Sequence, residues 1–540
     1  MKKITGILVD PVARRNVPGT LIIDQGRIVD IQPDAEVRGP FILPGLIDSH
    51  IHVESSMLTP AAFAQKAVCH GTVAVVADPH EIANVLGVPG IDFMIASARQ
   101  VPLKFYFGAP SCVPATGFEN SGAKLTARDV EELLGREDIF FLAEMMNFPA
   151  VIGRDPEVMA KLRAAAKMGK KVDGHAPGLR GPDLVAYIRA VISTDHESLS
   201  LEECYEKLAL GMKIQLRQGS SARNLDDLHQ LISSHSGQCM LCTDDLKPAD
   251  LTRGHINLLV KKGLSLGHDL FDILQCACVN PVRHYQLTVG LLQINDPADF
   301  IIVNDLDRME VSATWINGEM VSAKGQALFQ ADQVIPINVF NAAPIKPEEL
   351  VIQARGSQIK VIEVSDGQIV TGAGHHPVPA GSTVVETDLQ ADLLKILVHN
   401  RYKPASPAIA FVRGFGLQQG AMASSIAHDS HNIIAVGVND RDLARAVNLL
   451  HESGGGICFV DRDEERRMEL PVAGLMGLGS CEEMAESYSA LEQRVRENGC
   501  LLQTPFMTMS FLALPVIPAL KITDLGLFDV ERFEPTDLFV

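Results

Sequence analysis

The chain is short of several features that define common protein classes. No run of Lys or Arg is longer than a pair, and 66 acidic residues outnumber 47 basic ones, for a formal charge of −19. Neutralising a phosphate backbone takes clustered basic side chains, so the balance argues against a nucleic-acid partner. A long apolar run is also missing. The N-terminal MKKITGILVDPVARR is interrupted at Asp10 before an apolar core of secretory length accumulates. FLALPVIPAL at 511–520 is too short to span a bilayer and carries two prolines. These absences predict a soluble cytoplasmic protein with no membrane partner. Low-complexity tracts and short-period repeats are absent as well. With 46% hydrophobic and 21% charged residues, a mainly disordered chain is excluded.

Ten cysteines are scattered over 540 residues, mostly in apolar contexts such as Cys69, Cys112 and Cys458. They read as reduced, buried thiols. Two close pairs, Cys239/Cys242 and Cys276/Cys278, fall in a strand-like and a helix-like run. A structural zinc knuckle needs turn-rich loops, so neither pair predicts one.

What is present is a repeating pattern. Eight short apolar runs end in polar residues, at 41–52, 72–81, 103–112, 139–147, 170–177, 190–198, 212–220 and 238–245. Runs without alternation suit parallel strands buried on both faces. The segments between them read as helices. LTARDVEELLG starts at a Thr cap and stops at Gly135, and DPEVMAKLRAAAKMGK starts with Asp155-Pro156. Strand–helix alternation repeated eight times predicts a distorted (β/α)8 barrel over 41–286. Both flanks look β-rich, with hairpin turns expected at Gln25-Gly26 and Asn317-Gly318. Residues 1–40 and 287–335 are expected to pair into one small composite β-sandwich, and 336–540 to form an α+β C-terminal domain.

The polar residues at the run ends carry the chemistry. The first run ends in His50-Ile51-His52, where alternation points both imidazoles to one side. The fourth ends in Glu144, the fifth in His175, the sixth in His196 and the eighth in Asp244-Asp245. Each is weak alone, but independent structural roles would not put them all on one rim. Imidazoles with carboxylates suit a first-row divalent ion such as Zn, Mn or Fe. Six donors exceed what one catalytic ion needs and fit two ions bridged by a carboxylate and a hydroxide. A metal lowers the pKa of its water to about 7, and an acid beside it can move the proton. The predicted chemistry is hydrolytic attack on an sp2 carbon.

The wording of these runs resembles the adenine deaminase family of the amidohydrolase superfamily. PGLIDSHIHVESSMLTP, ADPHEIANV, SCVPATGFE, LAEMMNFP, DGHAPGL, HESLSLEE, RQGSSARN and CTDD carry the resemblance through the barrel. FVRGFGL, HDSHNIIAVG, GGGICFV, PVAGLMG and LPVIPALKITDLGLFD extend it to the end. The resemblance implies hydrolytic deamination of adenine to hypoxanthine and ammonia. By motif position it makes His50, His52, His175 and His196 metal ligands, and Glu144 the bridge in place of a carboxylated lysine. Asp244 becomes ligand and proton shuttle. It implies two Mn2+ or Fe2+ ions, with Zn2+ as an alternative, and a homodimer.

Adenine also needs protonation at N1, for which Glu81 is the candidate acid. His80, Ser111, Arg217 and Ser220 are candidate base contacts, and His428, Asp429 and His431 form a candidate site-proximal cluster. Two rivals remain: an amidohydrolase acting on another heterocycle or cyclic amide, and a non-catalytic metal- or ligand-binding barrel.

Overall fold

The computed structural model describes every residue except Ser221, Gln333 and Asp463. The chain divides into two compact units. One comprises Met1–Pro79, Asp92–Ser111 and Thr126–Val334. The other comprises Ile335–Val540 together with His80–Ile91 and Cys112–Leu125.

The first unit contains the barrel. Its strands are β1 (Leu46–His52), β2 (Thr72–Ala77), β3 (Lys104–Ala109), β4 (Ile139–Met145), β5 (Lys171–Gly174), β6 (Thr194–Asp195), β7 (Lys213–Arg217) and β8 (Cys239–Cys242). All pairings between them are parallel, and every residue of β1 and β2 is buried. Apolar runs covered on both faces behave this way. The helices start where the sequence puts caps. Thr126 and Asp129 form a capping box for Ala127–Leu134, and Asp155 caps Pro156–Lys167.

The ring is distorted at two seams. β5 and β6 are joined by a single bridge, Val172 to Ile192, and by Ser193 N donating to Val172 O at 2.9 Å. At the other seam β8 turns at Thr243, and Asp244–Asp245 pairs with Ile51 and His52 of β1. Side chains seal that closure. Thr243 donates from both N (3.1 Å) and Oγ1 to Asp48, and Ser49 Oγ donates to Leu241 O at 2.9 Å. The outer wall is an apolar layer that includes Ile214, Leu216, Leu241, Leu259, Val260 and Ile273.

The run 41–52 turns out to be two strands. Phe41–Pro44 leaves the barrel and inserts between Lys2–Asp10 and Phe300–Val303, so both β-rich flanks join in one eight-stranded sheet. Gly45 lies at the break, where a Cβ would lie 2.3 Å from Val73 Cγ1. The expected turns are present, with positive φ at Gln25-Gly26 and at Asn317-Gly318.

The second unit is α+β. Its eight-stranded sheet runs in the order 372–377, 358–363, 408–413, 394–399, 433–437, 421–424, 456–461, 464–469. All neighbours are antiparallel except 358–363 and 408–413. The helix Asp440–Ser453, capped by Asn439 and ended by left-handed Gly454, packs its Leu443, Val447 and Leu450 into the sheet's core. No helix is long and apolar enough to cross a membrane among the described residues. All ten cysteines are buried, as their apolar contexts imply.

The weak β5–β6 seam yields a test. At Gly174 a Cβ would lie 2.4 Å from Thr194 O and 2.7 Å from Ile192 Cγ2. Gly174→Ala should force the two strands apart and cost about 1–3 kcal/mol in urea unfolding. An unchanged midpoint would show that the seam can yield freely.

Candidate metal centre

Glu144 is the hub of the centre in the first unit. It ends an apolar strand, is buried, and turns its two oxygens to different histidine pairs. Oε1 lies 3.1 Å from His52 Nε2 and 3.9 Å from His50 Nε2. Oε2 lies 2.9 Å from His175 Nδ1 and 3.2 Å from His196 Nε2. Asp244 Oδ1 joins the first pair, 3.1 Å from His52 Nε2 and 3.5 Å from His50 Nε2. The six residues therefore form two donor groups sharing one carboxylate. Asp244 reaches its place with φ 58°, a left-handed backbone that Asp tolerates better than most residues.

Local contacts aim these donors. His52 Nδ1 donates to Asp78 O at 3.1 Å, which fixes the tautomer and leaves Nε2 facing the carboxylates. Ser111 Oγ donates to Glu144 O, and Lys161 Nζ donates to Ser111 O at 2.7 Å. Tyr187 Oη donates to Met145 O at 2.7 Å and accepts from His175 N at 3.1 Å, tying β4 to the end of β5. Burial by itself would raise the Glu144 carboxyl, but the imidazoles of His196 and His175 hold it well below the usual carboxylate range. Asp244 is likewise held low against burial, by the Arg217 guanidinium first and then by His50 and His52.

The donor set fits divalent cations. Buried polar atoms are nearly always hydrogen-bonded. Yet among the described residues neither ring nitrogen of His50 and not Nδ1 of His196 has a hydrogen-bond partner. Imidazole nitrogens and carboxylate oxygens within reach of one another, in the groups His50/His196/Asp244 and Glu144/His175/His196, are first-row-metal chemistry.

Other expected site residues find different partners. Arg217, an expected base contact, instead places Nη1 between Glu197 Oε1 and Asp244 Oδ2, with Nη2 2.8 Å from Glu197 Oε2. Its charge is shared between Glu197 and Asp244. Ser220, another expected contact, donates from Oγ to Asp250 Oδ2 at 2.7 Å and accepts from Lys247 N at 2.9 Å. Ser111 braces the Glu144 backbone. Glu197 and Tyr187 escaped the sequence reading. Glu197 directly follows His196 in the HES motif, which was its one available signal.

In the second unit, Glu81 meets the HDSH corner. His428 Nδ1 lies 2.7 Å from Glu81 Oε1, and His431 Nε2 hydrogen-bonds Glu81 Oε2. His80 Nε2 stands 3.7 Å from Glu81 Oε1 and 3.8 Å from Asp429 Oδ2. The His428 ring stacks on Phe511 at 4.4 Å. Burial would raise Glu81, but His428, His431 and His80 hold it well below the usual range, so it rests as a carboxylate. Burial pushes the His431 imidazole down to about 4. A further acid, Glu119, accepts from Thr116 N and Oγ1 at 3.2 and 3.3 Å. Burial, reinforced by the charge of Asp429, pushes it up to about 8, so it rests protonated at neutral pH.

Comparison with known proteins agrees with this architecture. Residues 41–321 match the model of the amidohydrolase family, and 368–534 match the adenine deaminase C-terminal domain. The stretch 41–321 makes this chain a member of the amidohydrolase family. An adenine deaminase of Methanosarcina acetivorans is 48% identical over 552 residues, covering 100% of both chains. One from Salinibacter ruber is 49% identical, covering 99% of each, and one from Borreliella burgdorferi is 44% identical, covering 98% of each. The chain belongs to the adenine deaminase family.

Glu119 gives a pH test. Its folded value of about 8 lies above its ordinary 4.5. As pH rises from about 4.5 to 8, the unfolded state sheds this proton while the folded state keeps it, so folded stability falls across that window. Glu119→Gln removes the titration. Its melting temperature relative to the parent should climb between pH 5 and pH 8, and a pH-independent difference would refute the assignment.

Proposed function

We infer that this chain is a metal-dependent hydrolase converting adenine and water to hypoxanthine and ammonia. Membership of the adenine deaminase family supports the substrate. The observation that carries the chemistry is Glu144, whose two oxygens face two imidazole pairs, with Asp244 beside the first. We propose that His50, His52, His175, His196, Glu144 and Asp244 hold two divalent ions, Mn2+ or Fe2+ with Zn2+ as an alternative. Such ions lower the pKa of water from 15.7 to about 7 and so supply a nucleophile at neutral pH.

The chain's own residues move the protons. Arg217 occupies Asp244 Oδ2, which leaves Oδ1 turned to the histidines. Oδ1 takes the proton from the attacking water and returns it to the departing amine as the C6–N bond breaks. In the chain, Glu81 follows the last residue of β2 by four positions. It serves N1 of the purine, raising the electrophilicity of C6. Glu81 rests as a carboxylate with the His428 imidazole 2.7 Å away, so the proton it delivers to N1 is taken up during the reaction and not held beforehand. His80 and Asp429 line the same cluster. We further propose a homodimer, the commonest symmetric assembly. The ten reduced thiols fit the reducing cytoplasm.

An absorbance assay with added Mn2+ should show adenine consumed and hypoxanthine and ammonia formed in equal amounts, over many turnovers per subunit. Faster release from another heterocycle or a cyclic amide in a parallel panel would reassign the substrate. Asp244→Asn should lower kcat by about 10²–10⁴-fold. Near-normal turnover of that variant with metal loaded would overturn the proton shuttle.

A further inference from the structure

Lys207 lies on the helix Leu201–Ala209 that follows β6, and its side chain is fully buried. Its ammonium donates to Ala176 O at 2.8 Å, Asp195 Oδ2 at 2.9 Å, Ser198 Oγ at 3.1 Å and Glu203 Oε1 at 2.6 Å. The two acids extend the clamp. Asp195 Oδ1 accepts from Ala176 N at 2.8 Å, and Asp195 Oδ2 accepts from Ser198 Oγ at 2.6 Å. Glu203 accepts from Gly178 N and from Leu199 N, both at 2.9 Å. One buried cation thus gathers the loop after β5 and the loop after β6. It acts on the residue directly after His175 and the residue directly before His196.

This clamp supplies what His196 otherwise lacks. His52 is oriented through its other ring nitrogen by Asp78 O. His196 Nδ1 has no hydrogen-bond partner among the described residues. Its ring is set by stacking on His50, at 4.0 Å and 17°, and by the backbone on either side. On one side Asn224 Nδ2 donates to His196 O at 2.9 Å, and on the other Lys207 holds Asp195. The result is His175 Nδ1 and His196 Nε2 3.2 Å apart, both against Glu144 Oε2. Stability alone gives little reason for such a network, because a buried ion pair is commonly replaced by apolar side chains without loss. Partners that orient metal ligands, in contrast, typically carry 10–100-fold in metal affinity or activity.

We propose that Lys207 is a positioning residue that, through Asp195 and Glu203, fixes His175 and His196 as a pair for one divalent ion. This rests on the reading that those two histidines are ligands. The test is Mn2+ titration of the metal-free full chain, with bound Mn2+ measured directly. The chains compared are Lys207→Met, the charge-balanced Glu203→Gln/Lys207→Met pair, and His196→Asn as a control. The expected result is that His196→Asn and a folded Lys207 variant both bind Mn2+ at least about tenfold more weakly at one site. Lys207→Met leaves two buried carboxylates without their cation and should melt below the parent in the metal-free state, the charge-balanced pair less so, and at saturating Mn2+ a folded variant should lose kcat with KM for adenine retained. If His196→Asn weakens Mn2+ binding and a folded Lys207 variant does not, the inference is overturned. If His196→Asn binds as the parent does, the ligand reading fails and the inference falls with it. If neither Lys207 variant folds, Lys207 serves the fold and not the ion pair, which also overturns it.

Discussion

Everything in the first unit turns on one costly burial, the Glu144 carboxylate at the end of an apolar strand. An ionised group removed from water without partners is expensive. Here its partners are four imidazoles drawn from three other strand ends, so the oxygens can remain charged and available. Tyr187 pins the residue after Glu144 to the residue His175, and Ser111 with Lys161 pins Glu144's own carbonyl. Thr243 and Ser49 close the ring beside the Asp244 turn. The barrel is the device that makes these side chains converge, and its distortions fall where the histidines and Asp244 enter.

A second constraint organises the other unit. Glu81 is buried with three imidazoles around it and so stays charged, while Glu119 is buried near Asp429 and stays neutral. The two carboxyl groups are pushed in opposite directions by their own neighbours. The excursions His80–Ile91 and Cys112–Leu125 belong to the same compact unit as the HDSH corner.

Much of this was legible in the chain. Unalternating apolar runs mark strands covered on both faces, and the His50/His52 spacing marks one face of a strand. Thr126, Asp155 and the two X-Gly turns mark element ends through local hydrogen bonding and φ preference. The features that the chain alone leaves open all depend on contacts distant in sequence. The apolar run 41–52 gives no hint that its first four residues pair with Phe300–Val303. Nothing local to Arg217 announces that Glu197 and Asp244 share its guanidinium. Glu81 reads as an acid until His428 and His431, some 350 positions away, set its charge.

By itself, then, the amino-acid order determined strand and helix identity, the turns, the family and the set of donor side chains, because each depends on local periodicity or on residue chemistry. Tertiary structure decided which oxygen of Glu144 faces which imidazole pair, which oxygen of Asp244 faces the histidines and which faces Arg217, and how Glu81 and Glu119 are charged. Those outcomes depend on distances of a few ångströms between segments far apart in the chain, and on removing them from water, and neither is encoded in any single stretch.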